Sequence, residues 1–382
     1  MTQFYVITIC ILMLFLVVEY ATLVKALKKI PIRILVNGTR GKSSSVKILY
    51  QIFRKNGKIV CAKTTGDEPK LYFHEGSEHV IHRSAPAGIF ENIRHLRRMA
   101  KLQPEAIILE CNALQAETQR ILASSIFKPN YVLITNILPD HQEIMGNNLI
   151  ENTRVLRECI PDSATIITIP TVAKLLHESC QNSFRLLVAN SKAPSDRYEN
   201  IPESIIAEHW SLIQTMCRHV SIEEDLCKEV FHQFWREANA RICLTFPEKN
   251  TELCDLFSAN DVESTHRFVQ HALEHTQTQE KELIFLLNCR EDRPLRTQQF
   301  SHYLGKNFSE SLVWLTGSGR YLGKRMLVNQ KFPKERLFLL NRHEIRGKVF
   351  ENSGRNKLIF CIGNHKGMDG FLDEISKLRE NR

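Results

Sequence analysis

The sequence lacks the features of secreted disulfide-rich domains and of common nucleic-acid-binding modules. Its eleven cysteines are odd in number and include no Cys-x-x-Cys pair, which argues against a disulfide framework or a zinc ribbon. We therefore expect reduced thiols packed in cytoplasmic cores. The net charge of +9 permits binding to phosphates or to an anionic membrane. Because no basic-aromatic module accompanies this charge, nucleic acid is not an expected partner.

The chain also lacks internal repeats and low-complexity tracts, and its bulk composition is that of a globular protein. Charged residues make up 24% and hydrophobic residues 43% of its 382 residues, which is enough for two or three domains with ample cores.

The first residues differ from the rest, because Phe4–Val24 is apolar apart from Glu19. A helix over this segment would be about 31 Å long, close to the hydrocarbon thickness of a bilayer. No Lys or Arg precedes the segment, whereas Lys25, Lys28 and Lys29 follow it, so the positive-inside rule predicts a single-pass anchor with cytoplasmic catalytic domains. A cleaved signal peptide and a buried core helix are the alternatives.

Residues 33–45 predict a phosphate-binding turn between a strand and a helix. The apolar run 34–36 reads as a buried parallel strand, and Gly38 and Gly41 permit close approach of a ligand to the backbone. Lys42 supplies a positive charge for phosphates, and Ser43 supplies a hydroxyl suited to Mg²⁺. Helical spacing of apolar residues begins after Ser44 and ends before Gly57. An ordinary surface turn is the alternative.

Short apolar runs alternate with helical segments along the chain and predict a parallel α/β sheet. The expected strands are 106–110, 131–135, 164–169 and 185–189, followed by a second series at 283–288, 312–316, 337–340 and 358–363. The expected helices between them include 91–102, 117–124, 150–158 and, mainly helical, 201–235. The polar stretch Thr245–Thr251 is the expected boundary. We therefore predict an anchor at 1–27, an ATP-binding domain at 28–248 and a smaller α/β domain at 249–382, with a cleft between the two halves.

Polar residues follow two of the predicted strands at the edge where ligands of such sheets bind. Glu110 ends one apolar run, and Asn136, Asp140 and His141 follow another. Oxygen ligands of this kind suit Mg²⁺ bound to ATP. Taken singly, His141 and Glu110 would more often be structural residues.

The motifs resemble Mur ligases and, more closely, the capsule-type poly-γ-glutamate synthase subunits of that family. The matching segments are Asn-Gly-Thr-Arg-Gly-Lys-Ser at 37–43, Lys-Thr-Thr-Gly at 63–66, Glu-Cys-Asn at 110–112, Thr-Asn-x-x-x-Asp-His-x-x-x-Met-Gly at 135–146, Ala-Asn-Asp at 259–261, the block 288–300 and Gly-Asn-His-Lys-Gly at 363–367. They cover nearly the whole chain in the expected order.

The resemblance implies an ADP-forming ligase that activates a carboxylate as an acyl phosphate and elongates poly-γ-glutamate. It assigns catalysis to Lys42, Glu110 and His141, and Mg²⁺ binding to Ser43, Glu110 and His141. For ATP it implies Gly38, Thr39, Arg40, Gly41, Lys42, Ser43, Ser44, Thr64, Thr65, Asn136 and Asp261. The implied partners are glutamate, the growing chain, the membrane and small multipass membrane subunits, with a homo-oligomer left open.

Three arginines in the second half would bind the acidic amine substrate, since guanidinium groups bind carboxylates bidentately. These are Arg290, Arg293 and Arg296; surface ion pairs with Glu291 and Asp292 are the alternative.

The sequence departs from cell-wall Mur ligases in two places. No counterpart of their modified lysine is evident in Ile150–Asp162, and the adenine-contacting segment is replaced around His209. A ligase for another carboxylate acceptor, such as a folate or a cell-wall precursor, and a P-loop membrane ATPase or switch are the competing functions.

Overall fold

The computed structural model describes residues 2–66, 68–83, 88–138, 142–146, 148–179, 185–190, 192, 194, 198–246, 250–275, 281–350, 356–368, 370, 371, 374 and 375. The chain forms two compact units, one of residues 1–194 and 206–232 and one of residues 195–205 and 233–382.

The first unit contains an eight-stranded sheet in the order β4-β3-β2-β5-β1-β6-β7-β8. Its strands are β1 (Ile32–Asn37), β2 (Val60–Lys63), β3 (Lys70–Tyr72), β4 (Glu78–Val80), β5 (Ala106–Glu110), β6 (Tyr131–Ile134), β7 (Thr165–Thr168) and β8 (Arg185–Val188). Strands β2, β5, β1, β6, β7 and β8 pair in parallel in that order. Strands β3 and β4 add an antiparallel edge next to β2. The parallel α/β sheet predicted for this half is therefore confirmed.

Helices lie before and between these strands, and two more helices follow the last strand. They are α1 (Thr2–Lys28), α2 (Lys42–Lys55), α3 (Ile89–Ala100), α4 (Ala116–Arg120) with a π-helical continuation (Ile121–Phe127), α5 (Gln142–Met145), α6 (Leu149–Arg157), α7 (Pro170–Ser179), α8 (Glu203–His219) and α9 (Glu224–Ile242). The segment 201–235, expected to be mainly helical, is divided between α8 and α9.

Helix α2 shows how local sequence fixes the element that follows β1. Its apolar residues at helical spacing, Ile48, Leu49, Ile52 and Phe53 among them, are fully buried. The helix ends in a Schellman motif, in which the Gly57 N–H donates to Arg54 O and the Lys58 N–H donates to Phe53 O. Gly57 has φ 77°, which favours glycine.

Helix α1 separates into an exposed and a docked part. Side chains from Phe4 to Val18 are largely exposed, whereas Leu23 and Leu27 are buried against the first unit. Tyr20 Oη donates to Ser125 O at 2.8 Å, and Arg97 pairs with Glu19 at 2.9 Å. The most apolar 18-residue window of the helix Gln3–Lys28 has a mean hydropathy of 2.5 and is only 6% buried, so the alternative of a buried core helix is wrong.

The second unit contains a six-stranded sheet in the order β13-β12-β11-β14-β10-β9, parallel except for β9. Its elements are β9 (Cys243–Phe246), β10 (Thr251–Asp255), α10 (Val262–His275), β11 (Glu282–Asn288), α11 (Pro294–Asn307), β12 (Leu312–Thr316), α12 (Arg320–Asn329), a 3₁₀ turn (Lys334–Arg336), β13 (Leu337–Leu339), α13 (Arg342–Phe350) and β14 (Lys357–Gly363). The stretch Thr245–Thr251, expected as the domain boundary, contains the end of β9 and the first residue of β10, and residues 247–249 within it lie outside the described residues.

One cysteine pair corrects the expectation that all cysteines are reduced. Cys243 and Cys254 are joined by a disulfide. They stand directly opposite each other in the antiparallel pair of β9 and β10, which brings their Cα atoms to 4.2 Å. Strand register, rather than sequence spacing, places them together. Among the residues that the structure describes, eight other cysteines are free thiols, and seven of these are buried as predicted.

Candidate active site

The candidate active site lies at the carboxyl ends of three neighbouring parallel strands. Strand β1 is central, with β5 on one side and β6 on the other. The register sets Val36 opposite Glu110 and Asn37 opposite Ile134, so the polar residues that follow each strand meet at one edge. This edge is where open α/β sheets bind ligands.

Two glycines of the loop after β1 occupy conformations and spaces that a side chain would disrupt. Gly38 has φ 125°, and a Cβ there would lie 2.3 Å from Thr135 Oγ1. Gly41 has φ 77° at the N-cap of α2, and a Cβ there would lie 2.5 Å from the imidazole of His209. The loop is therefore closely packed from behind and leads directly into a helix N-terminus, which favours anions.

Residues after β6 hold this loop in place. Asn136 accepts hydrogen bonds from two backbone N–H groups, those of Thr39 to its main-chain oxygen at 3.0 Å and of Arg40 to its Oδ1 at 2.8 Å. Thr135 Oγ1 donates to Arg40 O at 2.6 Å. The Thr39 hydroxyl donates to Leu138 O and accepts from the Leu138 N–H. Thr39, Arg40 and Asn136, all predicted as nucleotide-binding residues, thus belong to one hydrogen-bonded loop pair.

Lys42 and Ser44 lie in the first turn of α2. The Lys42 Nζ donates to Gly38 O at 2.7 Å and to Thr39 O at 3.1 Å, so its ammonium group lies over the glycine-rich loop. A cation at this position can neutralise charge on a phosphate held by the loop.

Glu110 connects the phosphate loop to the Lys-Thr-Thr-Gly segment at 63–66. Its carboxylate is buried, with only 3% of the residue exposed, and Oε2 accepts from Ser43 Oγ and from the Thr65 N–H, each at 2.8 Å. Thr64 instead forms two hydrogen bonds with the backbone of Lys70: its N–H donates to Lys70 O, and its Oγ1 accepts from the Lys70 N–H. A buried carboxylate beside a serine hydroxyl at a helix N-terminus forms a donor set that fits Mg²⁺.

The predicted metal ligands are only partly accounted for. Ser43 and Glu110 are in direct contact, whereas His141 and Asp140 fall outside the described residues. Within the ranges that the structure describes, no cluster of three or more His, Cys, Asp or Glu side chains has the geometry of a metal site. The three-residue metal set therefore stays a prediction.

The predicted substrate residues of the second unit gather near the ends of β11 and β14. Arg296 Nη1 donates to Asn260 Oδ1 at 3.0 Å and to Asn364 Oδ1 at 3.3 Å. Asn288 and Asn364 exchange hydrogen bonds across the two strands. Arg293 lies at the N-cap of α11.

Two other residues of this unit make local contacts. Arg290 donates to both oxygens of Asp292, which is the surface ion pair considered as an alternative. The hydrogen bond and the charge of Arg290 lower the pKa of the Asp292 carboxyl. Asp261, predicted to contact nucleotide, accepts from the Ser264 N–H at 2.8 Å and so caps α10.

Sequence reasoning missed a buried charged group at the end of β2. The Lys63 side chain is fully buried, and its Nζ contacts Glu91 at 2.8 Å and Asn92 Oδ1 at 2.5 Å. Burial raises the pKa of the Glu91 carboxyl, but hydrogen bonds from Arg83 and Lys63 outweigh this effect and lower it to about 2. Lys63 belongs to the Lys-Thr-Thr-Gly motif, which was the available signal.

Two family models match the chain and divide it in the same order as the two sheets. The Mur ligase middle domain matches residues 36–169, and the C-terminal domain of poly-gamma-glutamate synthase CapB matches residues 243–378. The first unit is therefore similar to Mur ligases over this range, and the second is similar to poly-gamma-glutamate synthase CapB.

Individual proteins of known name agree with this assignment. The capsule biosynthesis protein CapB of Bacillus anthracis is 25% identical over 284 residues, which cover 72% of this chain and 61% of that protein. The PGA synthase CapB of Bacillus subtilis is 24% identical over 370 residues, 93% of each chain. The bifunctional folylpolyglutamate synthase/dihydrofolate synthase of Yersinia pestis, solved with AMPPNP and Mn, has a TM-score of 0.62 at 11% identity and covers 94% of this chain and 92% of that one. The predicted Mur-ligase-like α/β fold is thus confirmed.

Proposed function

We propose that this chain is an ATP- and Mg²⁺-dependent amide ligase that adds glutamate to a poly-γ-glutamate chain. The single observation that carries the proposal is the contact of Ser43 and Glu110 beneath the Gly38–Lys42 loop. The two CapB relatives and the match of the second unit to the CapB C-terminal domain support the choice of substrate.

The proposed reaction has two steps. A terminal carboxylate oxygen of the acceptor bonds to the γ-phosphorus of ATP, and ADP leaves with the electron pair of the broken P–O bond. The glutamate amine then bonds to the acyl carbon, phosphate leaves with the C–O electron pair, and the amine proton passes to solvent. Dividing amide synthesis in this way replaces a poor leaving group by a good one.

The residues of the first unit would orient and neutralise the phosphates during the first step. The N-terminus of α2 would bind the phosphate oxygens. Lys42 balances charge on the transferred group. Ser43 and Glu110 would hold Mg²⁺, which supplies charge stabilisation in phosphoryl transfer, and we propose His141 as a further contributor to this metal site.

We propose that the arginines of the second unit bind the carboxylates of the incoming glutamate. Arg296 is oriented by Asn260 and Asn364. Arg290 pairs with Asp292, whose side chain is 64% exposed, so an exposed substrate carboxylate can replace it at little cost. Arg293 and Asp261 complete the proposed set.

The function is tested by the dependence of ADP formation on an amino acid. Washed membranes that contain the chain, with the small multipass membrane subunits that the family resemblance implies, are expected to form ADP only when both glutamate and an acceptor are present. ADP formation that does not respond to any amino acid would favour a P-loop switch instead. Turnover with glutamate and a folate, but not with oligo-γ-glutamate, would identify another acceptor.

We further propose that α1 anchors the enzyme as a single-pass helix with both units in the cytoplasm. The helix over Gln3–Lys28 is long and apolar enough to cross a bilayer, and its basic residues Lys25 and Lys28, with Lys29, lie at its carboxyl end. The full chain should stay in the membrane pellet after an alkaline carbonate wash, whereas a variant without residues 2–18 should appear in the supernatant. Release of the full chain by carbonate would contradict the anchor.

A further inference from the structure

A cavity of about 250 Å³ opens beside the residues that follow β5. Its polar lining comes from Asn92 on α3 and from Asn112, Gln115 and Thr118, which lead into and along α4. Its apolar lining includes Leu114, Leu122 and Ile144. Asn112 is two residues beyond Glu110, so the cavity begins next to the proposed phosphoryl-transfer site.

The polar side of this cavity is held in a fixed orientation from behind. Lys63 Nζ donates to Asn92 Oδ1, and Asn92 Nδ2 donates to Asn112 Oδ1 at 2.8 Å. The buried Lys63 is in turn paired with Glu91, which Arg83 contacts through two hydrogen bonds of 2.7 and 2.9 Å. Because Lys63 can only donate, the direction of each hydrogen bond in this chain is set. The Asn112 oxygen is used inside the chain, and its Nδ2 is the group available to a ligand.

The lining has the chemistry of a site for a neutral group. Among the described residues that line the cavity, none carries a charge, whereas carboxylate and phosphate sites typically use Arg or Lys. Amide and hydroxyl side chains beside leucine and isoleucine match an amide bond flanked by methylene groups. The volume corresponds to roughly eight water-sized groups, which is about one γ-glutamyl residue.

We propose that this cavity binds the last γ-amide linkage of the acceptor chain and so selects polymer over free glutamate as the acceptor. The proposal rests on the proposed function and adds a subsite to it. The Asn112 Nδ2 donates to the amide carbonyl, and the methylene groups pack on Leu114 and Leu122. The terminal carboxylate then extends towards Glu110 and Lys42. The α-carboxylate of the bound unit stays in solvent, near the exposed Gln115 at the rim.

An Asn112→Asp substitution tests this subsite with little change in shape. The new carboxylate still accepts from Asn92 Nδ2 but replaces the donor by a negative charge. The KM for a di- or tri-γ-glutamate acceptor should rise by about tenfold or more, while the KM for ATP stays unchanged. Free glutamate used as the acceptor has no linkage to place in the cavity, so its KM should change little.

Two further variants make the result decisive. Asn148→Asp introduces the same charge at the N-cap of α6, where Asp caps equally well, and should leave the acceptor KM unchanged. Gln115→Glu, at the exposed rim, should raise the acceptor KM even if Asn112→Asp fails to fold. An unchanged KM ratio of oligomer to glutamate in both cavity variants would overturn the subsite. If the unmodified chain showed no glutamate-dependent ADP formation at all, the proposed function itself would fail.

Discussion

A Lys42→Ala variant is expected to form ADP in response to glutamate about 10³-fold more slowly than the unmodified chain. Lys42 Nζ lies over the loop, within 2.7 Å of Gly38 O and 3.1 Å of Thr39 O. The substitution removes a positive charge from the position where negative charge develops during phosphoryl transfer. The side chain is only partly buried and contacts loop carbonyls, so the fold should persist. Glutamate-dependent ADP release in washed membranes is the measurement.

Lys55→Ala is the matched control, because Lys55 lies on the same helix and forms an exposed ion pair with Glu229. Exposed pairs contribute little to stability, about 0–1 kcal/mol, so this variant should retain near-normal turnover. Polymer elongation by Lys42→Ala at a rate close to that of Lys55→Ala would contradict the role assigned to Lys42.

A Glu110→Gln variant is expected to show the second large loss, about 10² to 10³ in rate. The amide oxygen can still accept from Ser43 Oγ and the Thr65 N–H, so the local hydrogen bonds are retained. The negative charge that would attract a divalent cation is lost. The Mg²⁺ concentration for half-maximal rate should therefore rise by at least about tenfold. A metal titration of ADP formation, with circular dichroism to verify folding, makes the comparison.

Glu117→Gln provides the control for this experiment, because Glu117 is exposed in the first turn of α4. It should not change the metal requirement. If Glu110→Gln lowered the rate without shifting the metal titration, Glu110 would be a structural link between the two loops rather than a metal ligand.

The sequence predicted the elements of the site better than their contacts. The apolar run at 106–110 and the run at 34–36 identified two strands, and the glycines between 38 and 41 identified the loop. Ser43 and Glu110 are 67 positions apart, and their 2.8 Å contact depends on β1 and β5 being neighbours in the sheet. The rule that polar residues gather at the carboxyl ends of parallel strands was sufficient to expect this meeting.

Contacts made by helix faces and strand registers could not be predicted in the same way. His209 packs against Gly41, yet helical periodicity does not specify which loop a helix face meets. Lys63 is buried at the end of β2, and a charged residue in a motif is normally expected to face solvent or ligand. The Cys243–Cys254 bond depends on hairpin register, which the spacing of eleven residues does not define.

The central claim is that the acceptor carboxylate takes the γ-phosphoryl group of ATP before the amide forms. The most direct measurement uses an oligo-γ-glutamate acceptor whose carboxylate oxygens carry a heavy isotope. Mass spectrometry of the released inorganic phosphate should find one labelled oxygen per phosphate, and ADP should be the nucleotide product. Phosphate that carries no label, or the release of AMP and pyrophosphate, would contradict the account.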